Sequence, residues 1–110
     1  MPYLVDTLHH PDSAAAREAL RPAHLAYLAA HMGLLLAAGA KLEDGGAVGA
    51  GSFYILAVED RAMAEAFIAA EPYARGGLCA TVTYTRWRKA IFNFARETPA
   101  QPSSLRETTA

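Results

Sequence analysis

The chain has 110 residues, enough for one domain with a modest core, and its formal net charge of −1 leaves no basic stripe that would neutralise phosphates, which argues against a nucleic-acid partner. A single cysteine, Cys79, cannot form an intramolecular disulfide, the stretch MPYLVDTLHH lacks the basic start and long apolar core of a secretory leader, and no apolar run approaches the ~20 residues that span a bilayer. These features predict a cytoplasmic protein with no membrane partner.

Pro2 to Leu8 is partly β-branched and aromatic and ends at HHPD, where Pro11 stops a strand and Asp12 or Ser13 can cap a helix. Ser13 to His31 carries Ala and Leu at helical spacing, interrupted by Pro22. Proline is comfortable only in a first turn, so the pattern predicts a short helical lead-in and a main helix over Pro22 to His31. Gly33 supplies a left-handed stop, and LLLAAGA, Leu34 to Ala40, is an apolar run of strand length. KLEDGGAVGA reads as a hairpin connection and GSFYILAVE, Gly51 to Glu59, as a second apolar strand. The glycines precede a strand and do not open a helix, so they are no phosphate-cradling loop.

Asp60 caps the amphipathic helix RAMAEAFIAA, which ends before Pro72. LCATVTYTRW forms the strongest strand, with Leu78, Ala80, Val82 and Tyr84 on one face and Cys79, Thr81, Thr83, Thr85 and Trp87 on the other. KAIFNF adds a last strand or a dimer-swapped edge, and residues 97–110 read as a flexible tail behind a domain of residues 1–96.

The order β-α-β-β-α-β is the ferredoxin-like split arrangement of an α+β domain. Two helices cover one face of its sheet, yet the two middle strands are apolar on both faces. A symmetric partner laid across the second face answers this, giving a dimeric α/β barrel and a homodimer.

Chemistry gathers at two stretches. In RPAHLAYLAAH, His24 lies one turn after Arg21, and an imidazole near a pocket can serve as general acid or base. The plain alternative is a histidine that caps or packs. In EPYARGG, Glu71 leaves the end of a helix just before a proline, and a carboxylate there can orient an imidazole if the fold brings the two together. Otherwise it is a solvated helix end.

RPAHLAYL, LLLAAG, GSFYILAVED, AAEPYARGGL and RWRKAIFN, in this order and spacing, closely resemble the YciI-like (YCII-related) proteins over about residues 2–94. The resemblance implies a ferredoxin-like fold in dimeric α/β barrels and a site built around a histidine and an aspartate. The histidine maps onto His24. The residue before Pro72, usually aspartate in that family, is Glu71 here, one methylene longer. The chemistry implied is cofactor-independent proton transfer of lyase or isomerase type, such as chloride elimination from a chlorinated hydroxyquinol. An aromatic-lined cavity would hold a flat enolic or phenolic small molecule without metal or nucleotide.

Phe53, Tyr54, Tyr73, Tyr84 and Trp87 are candidates to line that cavity, Arg21 or Arg75 to hold an anionic oxygen, and Ser52 to donate a hydrogen bond. Of these, Arg21, Ser52, Tyr73 and Trp87 are the expected substrate-binding residues, with His24 and Glu71 catalytic. No metal site is expected, because His9 and His10 are adjacent and point to opposite faces of a strand, and no His or Cys pair has zinc-site spacing. Cys79, in a strand and with no base beside it, reads as buried and inert. The other class of function compatible with these residues is a binding or accessory module that senses a small aromatic metabolite without transforming it.

Overall fold

Alternation organises the first strand, β1 (Tyr3–His9): Tyr3, Val5, Thr7 and His9 are buried on one side, while Asp6 and Leu8 are exposed on the other. The computed structural model describes residues 1–97, so the tail expected at 97–110 lies, from residue 98 on, outside the described residues. After β1 come α1 (Ala14–Ala30), a 3-10 turn (Met32–Leu34), β2 (Leu35–Leu42), β3 (Val48–Leu56), α2 (Arg61–Ala70), α3 (Pro72–Arg75), β4 (Cys79–Arg86), β5 (Ile91–Phe92) and β6 (Ala95–Arg96).

The main sheet is antiparallel with order β2-β3-β1-β4. Each helical connection therefore skips one strand, the ferredoxin-like α+β topology that the element order predicts.

Register decides what faces the helices. Val5 pairs with Tyr54 on one side and Tyr84 on the other, and Thr7 with Ser52 and Val82. These residues share the covered face, where Tyr3, Val5, Tyr54, Leu56 and Val58 meet Ala64, Phe67 and Ile68 of α2. Tyr27 of α1 donates its hydroxyl to the Phe67 carbonyl at 2.7 Å and ties the two long helices together. The other face carries Leu8 and Phe53 exposed and Leu4 and Ile55 half-buried, with no helix of the described residues over it.

Several local expectations are corrected. Helix α1 runs unbroken through Pro22. The proline removes the N–H that would bond the Glu18 carbonyl, but both residues are exposed, where water can satisfy that carbonyl. Gly33 is not left-handed; it sits in the 3-10 turn, and the helix is closed by His31. The His31 amide donates to the Tyr27 and Leu28 carbonyls, and its Nδ1–H donates to Tyr27 at 2.8 Å. His31 is thus a capping histidine.

The second and third strands are shifted toward the hairpin relative to the apolar runs, because pairing continues through the glycines as far as Leu42 opposite Val48. KAIFNF does not join the main sheet. Asn93 and Phe94 both take positive φ, which folds residues 91–96 into a separate tight hairpin. A bulge between Leu8 and His9 places Cys79 opposite His9, on the covered face and not with Thr81 and Thr83.

Close approach fixes Gly51. A Cβ there would run into the Thr7 carbonyl oxygen of the neighbouring strand. Gly51→Ala is expected to cost about 1–3 kcal/mol, read as a lower urea midpoint. An unchanged midpoint would mean that β1 and β3 part freely at this position.

Candidate active site

The sequence EPYA does two local jobs at once. Glu71 ends α2 and, as the residue before a proline, is held extended (φ −74°, ψ 130°), so it also becomes the N-cap of α3. Its Oε1 accepts the Ala74 amide at 3.2 Å and its Oε2 the Tyr73 amide at 3.1 Å. Pro72 suits the first position of α3, where no N–H is needed. Gly76 closes that turn against α1: a Cβ there would press on the Leu20 side chain and on the Pro72 carbonyl.

This docking brings Glu71 beneath His24. Nδ1 of His24 lies 2.5 Å from Glu71 Oε2. His24 is the one buried residue of α1, on a stripe with half-buried Arg17, Leu20, Tyr27 and Leu28 at three- and four-residue spacing. Tyr73 stacks on the imidazole (centroids 4.0 Å, 11°), and Tyr54 meets it edge-on at 6.4 Å.

The electrostatics assign the proton. Burial works against a charge on Glu71, but the hydrogen bond from His24 and the Tyr73 and Ala74 amides outweigh it, and the carboxyl titrates below its ordinary range. Glu71 is therefore an acceptor at neutral pH and His24 donates to it through Nδ1–H. The neutral imidazole then carries its lone pair on Nε2, as a base requires. The His24 side chain keeps 10% of its surface exposed against 1% for Glu71, so the imidazole and not the carboxylate is the group that can meet a ligand.

Burial, and next the Glu71 charge, push the Tyr54 phenol far above its ordinary range. Burial also raises Tyr73 despite the opposing charge of Arg21. Cys79 is half-buried and its thiol is raised by burial and then by Glu71, the opposite of an activated nucleophile.

Ser52 is buried on β3, its amide donating to Thr7 Oγ1 at 3.0 Å. Arg21 and Arg75 are exposed on α1 and α3. Tyr84 is half-buried under the Arg61 guanidinium, 4.8 Å above its ring. Phe53 lies on the helix-free face. Trp87 stands past the Tyr3–Arg86 pair, its amide donating to Pro2 O, at the end of β4 away from Cys79 and His9. The structure thus brings His24, Glu71, Tyr73 and Tyr54 together and leaves Trp87 and Phe53 apart from them. A broad surface concavity of about 520 Å³ beside Lys41 and Gly49 belongs to the β2–β3 hairpin and does not include His24.

Two neighbours were not singled out by the motifs. His9 is buried with its ring edge-on to Tyr73, and Arg17 Nε–H donates to His9 Nδ1 at 3.2 Å. Alternation along β1 puts His9 on the face of Val5 and Thr7, and Arg17 lies seven residues before His24; both signals were present in the sequence.

These titrations predict the pH dependence of stability. Burial and then Arg17 hold His9 below its ordinary value of 6.5, and Glu71 is held below 4.5. In each case the unfolded chain binds the proton first as pH falls, so stability is lost on acidification, beginning below about 6.5 through His9 and continuing below about 4.5 through Glu71. Cys79 and the buried tyrosines are raised above 9.0 and 10.0, so the unfolded chain ionises first and stability also falls in alkali. Urea midpoints between about pH 3 and 11 should trace a dome; a midpoint that stays level from about pH 6.5 to 5 would contradict the His9 assignment, and one that falls no further below about pH 4.5 would contradict the Glu71 assignment.

The sequence matches the YCII-related domain over residues 1–88. Comparison with curated proteins gives no match. Among solved structures, the chain is similar to 5-chloro-2-hydroxyhydroquinone dehydrochlorinase from Burkholderia phenoliruptrix AC1100 in complex with 2,5-dihydroxybenzoquinone: TM-score 0.75, 28% identity, covering 80% of this chain and 94% of that one. Among the described residues no helix is long and apolar enough to cross a membrane.

Proposed function

The chain belongs to the YCII-related domain family, and on that footing we propose that it is a small enzyme in which His24 moves a proton on an enolic or phenolic compound while Glu71 orients the imidazole. The observation that carries this is the 2.5 Å contact between Nδ1 of His24 and a buried, ionised Glu71, which leaves Nε2 free to act as base. The likeness to a dehydrochlorinase over most of both chains supports the substrate class.

The step is a shuttle. His24 Nε2 takes a hydroxyl proton, the electron pair left behind enters the conjugated system, and the proton is returned at carbon. Where that carbon bears chlorine, loss of a second hydroxyl proton expels chloride with the C–Cl bonding pair. The net products are a quinone, one proton and one chloride ion. Tyr73 now stacks on the imidazole with the Tyr54 ring nearby, and a flat ligand would take the place that Tyr73 holds against His24. Arg21, one turn before His24, supplies positive charge for an anionic oxygen, and Ser52 and Trp87 complete the binding residues we assign. For Trp87 this requires a ligand or a second copy to reach the far end of β4. A second copy over the helix-free face would also cover Leu8 and Phe53, giving a homodimer measurable as twice the chain mass in solution.

The reading is tested by chloride and product release from chlorinated and plain hydroxyquinols and enol-lactones. Turnover of at least one class is expected. Saturable binding with every compound recovered unchanged would replace the enzyme by a binding module.

A further inference from the structure

His9 and Arg17 take no part in the step just described, yet they adjoin it. His9 is 3% exposed. Its ring meets Tyr73 at 5.5 Å, and the same Tyr73 ring stacks on His24, so the two imidazoles flank one phenol. A guanidinium only donates, so the Arg17 hydrogen bond obliges His9 Nδ1 to present its lone pair, and the neutral ring must carry its proton on Nε2. Burial and next the Arg17 charge favour that neutral ring over the opposing pull of Glu71.

The Nε2–H is buried with no hydrogen-bond partner among the described residues. Two buried polar side chains of the helix-covered side are already engaged. The Thr7 hydroxyl donates to the Ser52 carbonyl and accepts the Ser52 amide, and both Glu71 oxygens accept from His24, Tyr73 and Ala74. Leaving such a donor unpaired is costly, and a buried polar group without a partner calls for an explanation, a catalytic role among them.

We propose that His9, its tautomer fixed by Arg17, is the hydrogen-bond donor for a ligand oxygen, and that the ligand class is a planar enol or phenol whose charge gathers on that oxygen. This rests on the reading given above. As His24 Nε2 gains the ligand's proton, the electron pair left in the conjugated system settles on the oxygen facing His9. His9 keeps its own proton throughout. Tyr73 is the ring that must turn aside for a ligand to reach both imidazoles, and it rides on the single-turn α3, which ends at Gly76 and a left-handed Gly77.

The test uses 2,5-dihydroxybenzoquinone as probe, its binding measured by calorimetry on the full chain and on three variants. His9→Gln retains an N–H donor near the Nε2 position and is expected to bind within about threefold of the unaltered protein. His9→Phe keeps a ring against Tyr73 but has no donor, and is expected to bind about tenfold or more weakly. Arg17→Met frees the tautomer and is expected to fall between the two. Equal affinity of the His9→Phe and unaltered proteins, or no binding of the probe to the unaltered protein, would overturn the proposal. His9-dependent binding with no turnover of any hydroxyquinol or lactone would retain it and remove the catalytic reading instead.

Discussion

His24→Asn is expected to fold as the unaltered protein does and to lose turnover by about two to four orders of magnitude, the usual worth of a positioned general base. The asparagine amide stands close to where Nδ1–H stood and can still donate to Glu71 Oε2, but nothing replaces Nε2. The lost stacking on Tyr73 is expected to cost about 1–2 kcal/mol, a shift of a few degrees in Tm. Retained turnover in a folded His24→Asn protein would take the imidazole out of the mechanism.

The largest effect on stability is expected at Glu71. Glu71→Ala strips partners from the His24 Nδ1–H and from the Tyr73 and Ala74 amides, and opens a cavity at a side chain that is 1% exposed. Each unpaired buried group costs about 1–3 kcal/mol, so the three together with the cavity are expected to cost at least about 3 kcal/mol. Helix α3 should lose its cap along with the activity. Glu71→Gln keeps the volume and one acceptor, so it should cost about 1–2 kcal/mol while lowering kcat by a larger factor, because the neutral amide no longer fixes the imidazole tautomer. Urea unfolding and steady-state kinetics on the two variants separate the capping role from the orienting role. A Glu71→Ala protein as stable as the unaltered chain would show that the carboxylate is not the buried hub described here.

Much of this was legible in the sequence for identifiable reasons. The alternation of β1, the Asp60 cap of α2, which receives the Met63 amide at 2.9 Å, and the element order are local signals, and the structure follows them. Pro22 misled because a helix can carry a proline where the orphaned carbonyl faces water. Helix α3 was missed because four residues are too few to show a period, and EPYARGG looks like an exit loop. The hairpin at residues 91–96 was missed because positive φ at Asn93 and Phe94 leaves a weak mark in the sequence.

At the site, the paired stretches marked His24 and Glu71, but their approach is a tertiary fact set by the packing of Gly76 on Leu20. Glu71, one methylene longer than the aspartate usual at this position in the family, reaches His24 while still capping α3. His9 shows the opposite case. Its alternation was visible, but the Arg17 contact that fixes its tautomer spans eight residues from a strand to a helix, and no local pattern announces it.

The central claim is that Glu71 holds the His24 proton on Nδ1 and leaves Nε2 as the base. Long-range nitrogen–proton NMR of the histidine side chains at neutral pH reads this directly. The account predicts a His24 ring protonated on Nδ1, with that proton shifted downfield by the carboxylate and the signature abolished in Glu71→Gln. A His24 ring protonated on Nε2, with Nδ1 bare, would contradict it.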